Sequence, residues 1–348
     1  MTTPSEDFKR KLLAPIEELF REALGNPPPP VSSGGRNYQP PPAPGDEEWP
    51  EPDAPQPQRS RATKPGRVDE AAFEAAMQAV NGLLGLQSAK RSIHRLADFA
   101  RIEAERRRLK LPQSRVGFHC VFTGSPGTGK TSMARLIGKI MKALGLLQSG
   151  HTVELDKAGL VGGYLGQTPL KVRSAFDRAD GGVLFIDEAY SLSHDGEDLY
   201  GHEAIDGIVK LMEDRRGRVV VIVAGYTKEM QQFIASNPGL RSRFNRTISF
   251  DDFDAEELLS IQKQMVRSSG FEASEGFLLR SELLWQTLYR DRLTFDGNGR
   301  LVRSAMEVVL ENQAARLARK PKKERHEFCE LMPEDLDGVE YQLRMNNG

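Results

Sequence analysis

Gly124-Ser125-Pro126-Gly127-Thr128-Gly129-Lys130-Thr131 is the stretch from which the fold is read. It has the form G-x-x-x-x-G-K-[ST], a loop that cradles a phosphate chain. Ahead of it, Phe118-His119-Cys120-Val121-Phe122-Thr123 is a short apolar run of strand type. Behind it, Ser132-Met133-Ala134-Arg135-Leu136-Ile137-Gly138-Lys139-Ile140-Met141 is apolar in the manner of a helix. Strand, glycine loop and helix are the context in which the motif has physical meaning. Gly124, Gly127 and Gly129 let the backbone curl so that its N–H groups, with those of Ser125, Pro126's neighbours and Thr128, face a phosphate. The helix start at Lys130, Thr131 and Ser132 adds partial positive charge. Lys130 is placed for the β- and γ-phosphates and the Thr131 hydroxyl for Mg²⁺. ATP and Mg²⁺ are the expected cofactors.

Val183-Leu184-Phe185-Ile186 is a continuous apolar run, as a strand buried on both faces should be. It ends in Asp187-Glu188. An acidic pair at the C-terminal end of a central strand lies beside the phosphate loop in a doubly wound parallel sheet. Asp187 is expected to hold Mg²⁺, mostly through water. Glu188 is expected to polarise the attacking water as general base.

The 348 residues suffice for two folded units plus extensions, and the net charge of −1 gives no bulk attraction to nucleic acid or membrane. Two cysteines, Cys120 and Cys329, exclude a disulfide framework, and Cys120 reads as a core residue. No apolar run of about 18 residues is long enough to span a bilayer, so the cytoplasm is the expected location. Residues 25–67 hold 13 of the 21 prolines and almost no aliphatic side chains. Such a segment buries too little apolar surface to offset chain entropy, and is expected as a disordered, polyproline-rich linker. Before it, Phe8, Leu12, Ile16, Leu19, Phe20 and Ala23 follow helical spacing, with Pro15 weakening the interior. Residues 1–24 thus read as an amphipathic helix that either docks a partner or packs back on its own chain.

From residue 68 strands are expected near 117–123, 151–155, 183–187, 218–224 and 246–250, with helices between them. That alternation implies an α/β fold with a doubly wound parallel sheet. The nucleotide-binding domain is set at 68–253. The chain then reads as entirely helical from Asp254 to about Leu317, a small all-helical lid domain over 254–320, and 321–348 is set apart as a tail.

Local sequences carry a family resemblance. Phosphate loop, Asp-Glu strand and helical subdomain together resemble the AAA+ P-loop NTPases. Leu160-Val161-Gly162-Gly163-Tyr164-Leu165-Gly166-Gln167-Thr168, Phe185-Ile186-Asp187-Glu188-Ala189-Tyr190, Val223-Ala224-Gly225-Tyr226 and Asn237-Pro238-Gly239-Leu240-Arg241-Ser242-Arg243-Phe244 are similar to the CbbX / stage V sporulation protein K group. That group includes the red-type Rubisco activase and the motor half of the secretion ATPase EccA. The resemblance covers about 72–320 and does not extend to residues 1–67, a segment too short and proline-rich to be expected to hold EccA's tetratricopeptide-type N-terminal domain.

The resemblance implies roles. An arginine between the Asn-Pro-Gly turn and the last sheet strand reaches a neighbouring subunit's γ-phosphate; Arg243, in its Ser-Arg-Phe setting, is favoured over Arg241. Arg300, opening a helix after Gly297-Asn298-Gly299, resembles the arginine that folds the lid over the nucleotide, while Arg303 reads as surface. The sensor at the end of the 218–224 strand lies at Tyr226 or Thr227, where many relatives carry Asn. Gly85-Leu86 resembles the backbone that frames the adenine. Tyr164-Leu165-Gly166 resembles the first pore loop of ring translocases, where an aromatic grips many peptide side chains; read alone it is a loop tyrosine packed on its own domain.

Arg101, Arg106, Arg107, Arg108 and Lys110 alternate with Glu103 and Glu105 at helical spacing and read as a solvated face rather than a nucleic-acid patch. The phosphate loop and the Asp187-Glu188 pair give Mg²⁺-dependent ATP hydrolysis as the expected function, and the resemblance implies that a homohexameric ring uses it to remodel or thread a protein client. Rubisco activation, a secretion-associated ATPase and a nucleotide-switched adaptor are the alternatives, and a nucleic-acid motor is disfavoured.

Overall fold

The computed structural model describes residues 68–112, 114, 116–164, 166–193, 199–294 and 297–346. The helix expected at 1–24 and the linker at 25–67 lie outside the described residues. Two helices, α1 (Glu70–Gly82) and α2 (Gln87–Arg108), lead into a sheet of five strands: β1 (Cys120–Thr123), β2 (Thr152–Leu155), β3 (Val183–Ile186), β4 (Val220–Gly225) and β5 (Thr247–Ser249). All pairs are parallel and the spatial order is β2-β3-β4-β1-β5. The chain leaves β1 through α3 (Lys130–Ala143) for the far edge at β2 and steps back inward, so β1 sits between β4 and β5. Connections that leave a strand toward opposite sides open a crevice at its C-terminal end, where ligands bind in such sheets.

The strand alternation sorts side chains between two cores. Phe122, Phe185, Ile222 and Ala224 face a core shared with α1, α2 and α3. Val121, Leu184, Ile186, Val221 and Val223 face a second core. The latter is built with α5 (Gln167–Arg178), α6 (Leu199–Asp214) and α7 (Thr227–Ser236), through Phe176, Ile208 and Phe233. Burial on both faces is why these strands read as unbroken apolar runs. Cys120 is fully buried, and burial pushes its thiol pKa up to about 12. His119 accepts from the Val221 N–H through Nδ1 at 3.0 Å and ties β1 to β4. Burial, with Arg216, Arg243 and Arg246 nearby, holds its pKa down to about 4, so it remains a neutral acceptor at neutral pH. The basic face of α2 is solvated and paired: Arg101 with Glu70 at 2.8 Å, Arg106 with Glu103 at 2.9 Å, and Arg108 with Glu105.

A short helix, α8 (Pro238–Arg243), precedes β5. The helical unit then begins at α9 (Ala255–Ser268), where Asp254 and Glu257 form a capping box. It continues through α10 (Glu275–Arg290) and α11 (Gly299–Ala318). Trp285 is its buried centre, and its indole N–H donates to Gln262 Oε1 at 2.7 Å. Two departures from the sequence reading appear here. The stretch after α9 is not wholly helical: β6 (Glu272–Ala273) pairs in parallel with β7 (Glu330–Leu331). Nor does the segment after residue 320 behave as a tail, because it folds back on α10 and α11 and ends in α12 (Val339–Asn346). Its anchors Leu331, Leu336, Val339 and Leu343 are buried but scattered among charges, so no period announces them. Asp335 is fully buried; it accepts from Arg316 Nε at 2.8 Å and Nη2 at 2.9 Å, and from the Met332 N–H at 2.8 Å.

Asp335→Ala should strand the Arg316 charge and lower stability by about 3 kcal/mol, the cost of breaking a buried pair. Urea unfolding measures the loss, and limited proteolysis should find new cleavage within 325–346. An unchanged urea midpoint would show that the pair does not hold the segment.

Candidate functional site

The phosphate loop joins β1 to α3 and is shaped by its neighbours as much as by its own glycines. Gly124 has φ +148°, and a Cβ there would stand 2.3 Å from the Phe250 carbonyl oxygen beyond β5. Gly127, at φ +73°, would place a Cβ 2.2 Å from the Gly297 carbonyl oxygen and 2.9 Å from the Arg300 nitrogen. Gly129, at φ +89°, opens α3 and lies against Leu86. The loop is tied by backbone bonds at its start and at its middle: the Gly124 N–H donates to Gly225 O at 3.2 Å, and the Gly299 N–H to Gly127 O at 3.1 Å. Thr128 is fully buried and its hydroxyl donates to Ser125 O at 2.8 Å.

Lys130 is buried, and its Nζ donates to the Gly124 and Ser125 carbonyls at 2.8 Å each. Burial lowers its pKa; Asp187, Asp252 and Glu188 oppose that shift, whereas Arg300 adds to it. Thr131 is half-buried and Ser132 exposed on the first turn of α3. Asp187, at the end of β3, is half-buried, and its Oδ1 accepts from the Glu188 N–H at 3.0 Å. Glu188 is exposed on left-handed backbone, φ 48° and ψ 40°, a conformation that costs a non-glycine residue about 1 kcal/mol or more. The glycine cradle suits a phosphate chain, and the Thr131 hydroxyl with the Asp187 carboxylate are hard oxygen donors of the kind Mg²⁺ takes.

Some of the other expected residues adjoin this point, whereas Arg243 lies near His119 at the start of β1, the end of the sheet away from the loop. Gly85 and Leu86 both have positive φ, at 57° and 59°, and Leu86 is buried before α2. A Cβ on Gly85 would collide with the Glu257 carboxylate of the helical unit. Arg300, on the first turn of α11, is exposed and acts electrostatically on Lys130. Arg303 is half-buried rather than on the surface. Tyr226 and Thr227 follow β4 and are exposed; the Tyr226 ring lies 6.2 Å from that of Tyr190, whose phenol pKa burial and Glu188 push up. Arg241 and Arg243 lie on α8. Arg241 is exposed and reaches Ala235 O at 3.4 Å, whereas Arg243 is partly buried and reaches Glu213 and Gly239 O at 3.4 and 3.3 Å.

Tyr164 is away from this cluster, in the segment between α4 (Lys157–Leu160) and α5, and is 75% exposed. The base of its loop is held: the Gly162 N–H donates to the buried Thr168 hydroxyl at 3.1 Å, and Lys171 Nζ to Val161 O at 2.7 Å. Gly166 has φ +80°, and Leu165 lies outside the described residues.

Asn298 was not singled out by sequence reasoning. It is fully buried, and its amide links Pro126, Asp252 and Phe253. An asparagine between two glycines was the available signal, and it reads first as a turn.

The family model described as "ATPase family associated with various cellular activities (AAA)" matches residues 120–252, and an AAA lid domain model matches 254–346. Stage V sporulation protein K of Bacillus subtilis is 39% identical over 240 residues, covering 68% of this chain and 74% of that one. The chloroplastic ribulose bisphosphate carboxylase/oxygenase activase of Cyanidioschyzon merolae is 39% identical over 251 residues, 71% of this chain and 84% of that one. Among solved structures, the FIGL-1 AAA domain in complex with ADP aligns with a TM-score of 0.53 at 15% identity, over 81% of this chain and 92% of that one, a likeness of fold. Among the described residues no helix is long and apolar enough to cross a membrane.

Gly127→Ala should push the helical unit off the loop. Affinity for a fluorescent ADP analogue should fall at least about tenfold, since the new methyl meets backbone and the left-handed φ adds about 1–2 kcal/mol of strain. Circular dichroism should show an intact fold. Wild-type affinity would mean that this contact does not shape the site.

Proposed function

The chain belongs to the AAA ATPases, in the group of stage V sporulation protein K and CbbX, and on that premise we propose that it is a Mg²⁺-dependent, ring-forming motor that remodels or threads a protein client. Its reaction is hydrolysis of ATP to ADP and phosphate. Tyr164 carries the motor reading: a large aromatic, three-quarters exposed, on a loop whose base is pinned and whose flanks are glycine. Such a side chain gives apolar grip without sequence preference. Repeated around a homohexamer, it would line a channel.

Within the site the loop backbone from Gly124 to Ser132 binds the phosphates, and Lys130 brings the buried positive charge. Thr131 and Asp187 hold Mg²⁺, which neutralises phosphate charge when bound. Glu188 polarises the attacking water, its exposed carboxylate carried just past the strand end. Arg300 approaches from the helical unit, Gly85-Leu86 frames the base, and Tyr226 or Thr227 senses the far phosphate. Arg243 serves the neighbouring subunit, with Arg241 beside it. A second reading, action on Rubisco, is favoured by the 39% identity to an algal Rubisco activase; stimulation of ATP hydrolysis by Rubisco itself would support it.

Three variants separate the chemical roles. Lys130→Ala should lose nucleotide binding. Glu188→Gln should bind ATP yet turn over about a hundredfold or more slowly, the usual scale of a lost general base. Arg243→Ala should bind ATP and hydrolyse poorly, and mixing it with Lys130→Ala should restore some activity at mixed interfaces. Normal hydrolysis by Glu188→Gln removes the base assignment, and absence of rescue in verified mixed rings removes the in-trans one.

Tyr164→Ala should keep basal ATPase within a few-fold while losing its stimulation by a permanently unfolded test polypeptide. Tyr164→Phe should retain both. Undiminished stimulation of Tyr164→Ala, or no stimulation of the wild type by any polypeptide, would sink the threading model.

A further inference from the structure

Asn298 occupies a backbone conformation, φ 47° and ψ −124°, that glycine adopts freely and a residue with a Cβ adopts at a cost. Glycine stands on either side of it, at Gly297 and Gly299. The side chain present instead is fully buried and well bonded. Its Oδ1 accepts from the Phe253 N–H at 2.8 Å. Its Nδ2 donates to Asp252 Oδ1 at 2.8 Å and to the Pro126 carbonyl at 3.3 Å. One amide therefore touches the phosphate loop, the hinge between β5 and α9, and the start of α11.

The surroundings make that junction stiff. The next residue, Gly299, donates its N–H to Gly127 O at 3.1 Å, and the space between Gly127 and Gly297 admits no methyl group. Phe253 is itself buried, so its N–H would be left without an acceptor if the amide were lost. Asp252, held by the same amide, acts electrostatically on Lys130, as does Arg300, two residues beyond Asn298. Movement of Pro126 or Gly127 cannot be absorbed locally; it must be passed to α11 or to the hinge.

We propose that Asn298 is a positioning residue for ATP hydrolysis: its carboxamide latches the phosphate loop to the hinge and to α11, so that nucleotide in the loop sets the placement of the helical unit and of Arg300. This rests on the reading that the 124–131 loop takes the nucleotide phosphates. A turn-forming asparagine and a latch predict opposite outcomes for glycine. If the position serves only the turn, glycine relieves strain and the protein is as good or better. If the amide couples the two units, glycine folds but uncouples them.

The test is hydrogen exchange on the full chain with and without ADP, beside steady-state kinetics, for the wild type, Asn298→Gly, Asn298→Asp and Lys130→Ala. In the wild type, ADP should slow exchange both in the loop and α3 start, 124–136, and in the first half of α11, 299–309. Asn298→Gly should keep the first protection, lose the second, hold ADP affinity within a few-fold, and lower kcat by about ten- to a hundredfold, the scale of misplaced reacting groups. Asn298→Asp keeps the acceptor for Phe253 but not the donor to Pro126, and should not rescue. Wild-type kcat and both protections in Asn298→Gly, beside a defective Lys130→Ala, would overturn the latch alone. Wild-type nucleotide binding by Lys130→Ala would overturn the phosphate-loop reading and the latch with it. Should Asn298→Gly fail to fold, Asn298→Asp removes the donor to Pro126 while keeping the acceptor for Phe253, and retention of both protections with wild-type kcat there would equally overturn the proposal.

Discussion

The phosphate loop is held between two backbones that approach too closely for a single methyl group. Phe250 closes on Gly124 from the sheet side and Gly297 on Gly127 from the helical side. The same device sets α3 behind the loop: a Cβ on Gly138 would stand 2.3 Å from the Gly150 oxygen ahead of β2. Glycine is required at all three points by contact, and at Gly124 and Gly127 by dihedral angle as well. The order of strands, the hinge after β5 and the entry of α11 are consequently not independent features. Each is placed by the need to bring backbone against the loop, and the loop's shape is what they return.

Electrostatics follow from this crowding. Lys130 lies under the loop with its ammonium on the Gly124 and Ser125 carbonyls, and burial opposes its charge. Asp187 at the end of β3 is the strongest influence restoring it, with Asp252 and Glu188 in support. Strand β3 is separated from β1 by β4, so the sheet sets the distance between the lysine and its main counter-charge. A rigid parallel sheet is a suitable ruler for this, because its strands are buried on both faces and a one-residue slip would carry every side chain into the opposite core, where it does not fit.

Legibility divided along the range of the interactions. The loop, its strand and its helix are contiguous, so one eight-residue pattern reported all three. The β3 run and its Asp187-Glu188 cap were equally local. Strand order was not readable, because nothing in the apolar runs says that β4 separates β1 from β3. Asn298 was invisible as more than a turn residue, because its partners at Pro126 and Asp252 are distant in sequence. The 325–346 segment failed for another reason. It is anchored by isolated apolar residues and by Asp335, a carboxylate that reads as solvated until Arg316 is seen beside it.

The role proposed for Arg243 across a subunit interface has to be compatible with an internal contact. Its guanidinium reaches Glu213 at 3.4 Å and its Nε–H is buried without an acceptor among the described residues. The Glu213 side chain is 57% exposed. Ion pairs that open to solvent contribute about 0–1 kcal/mol, so releasing this one costs little. An arginine reaching a phosphoryl group in a desolvated interface is worth roughly 10³–10⁵ in rate, several times that energy. The contact with Glu213 therefore does not oppose the proposed role: a guanidinium held this weakly would be withdrawn cheaply. Arg241 is exposed and, among the described residues, its guanidinium reaches a carbonyl at 3.4 Å, so it would lose more side-chain freedom on engagement. On the proposal that one arginine of this short helix acts across an interface, the half-anchored Arg243 is the favoured one.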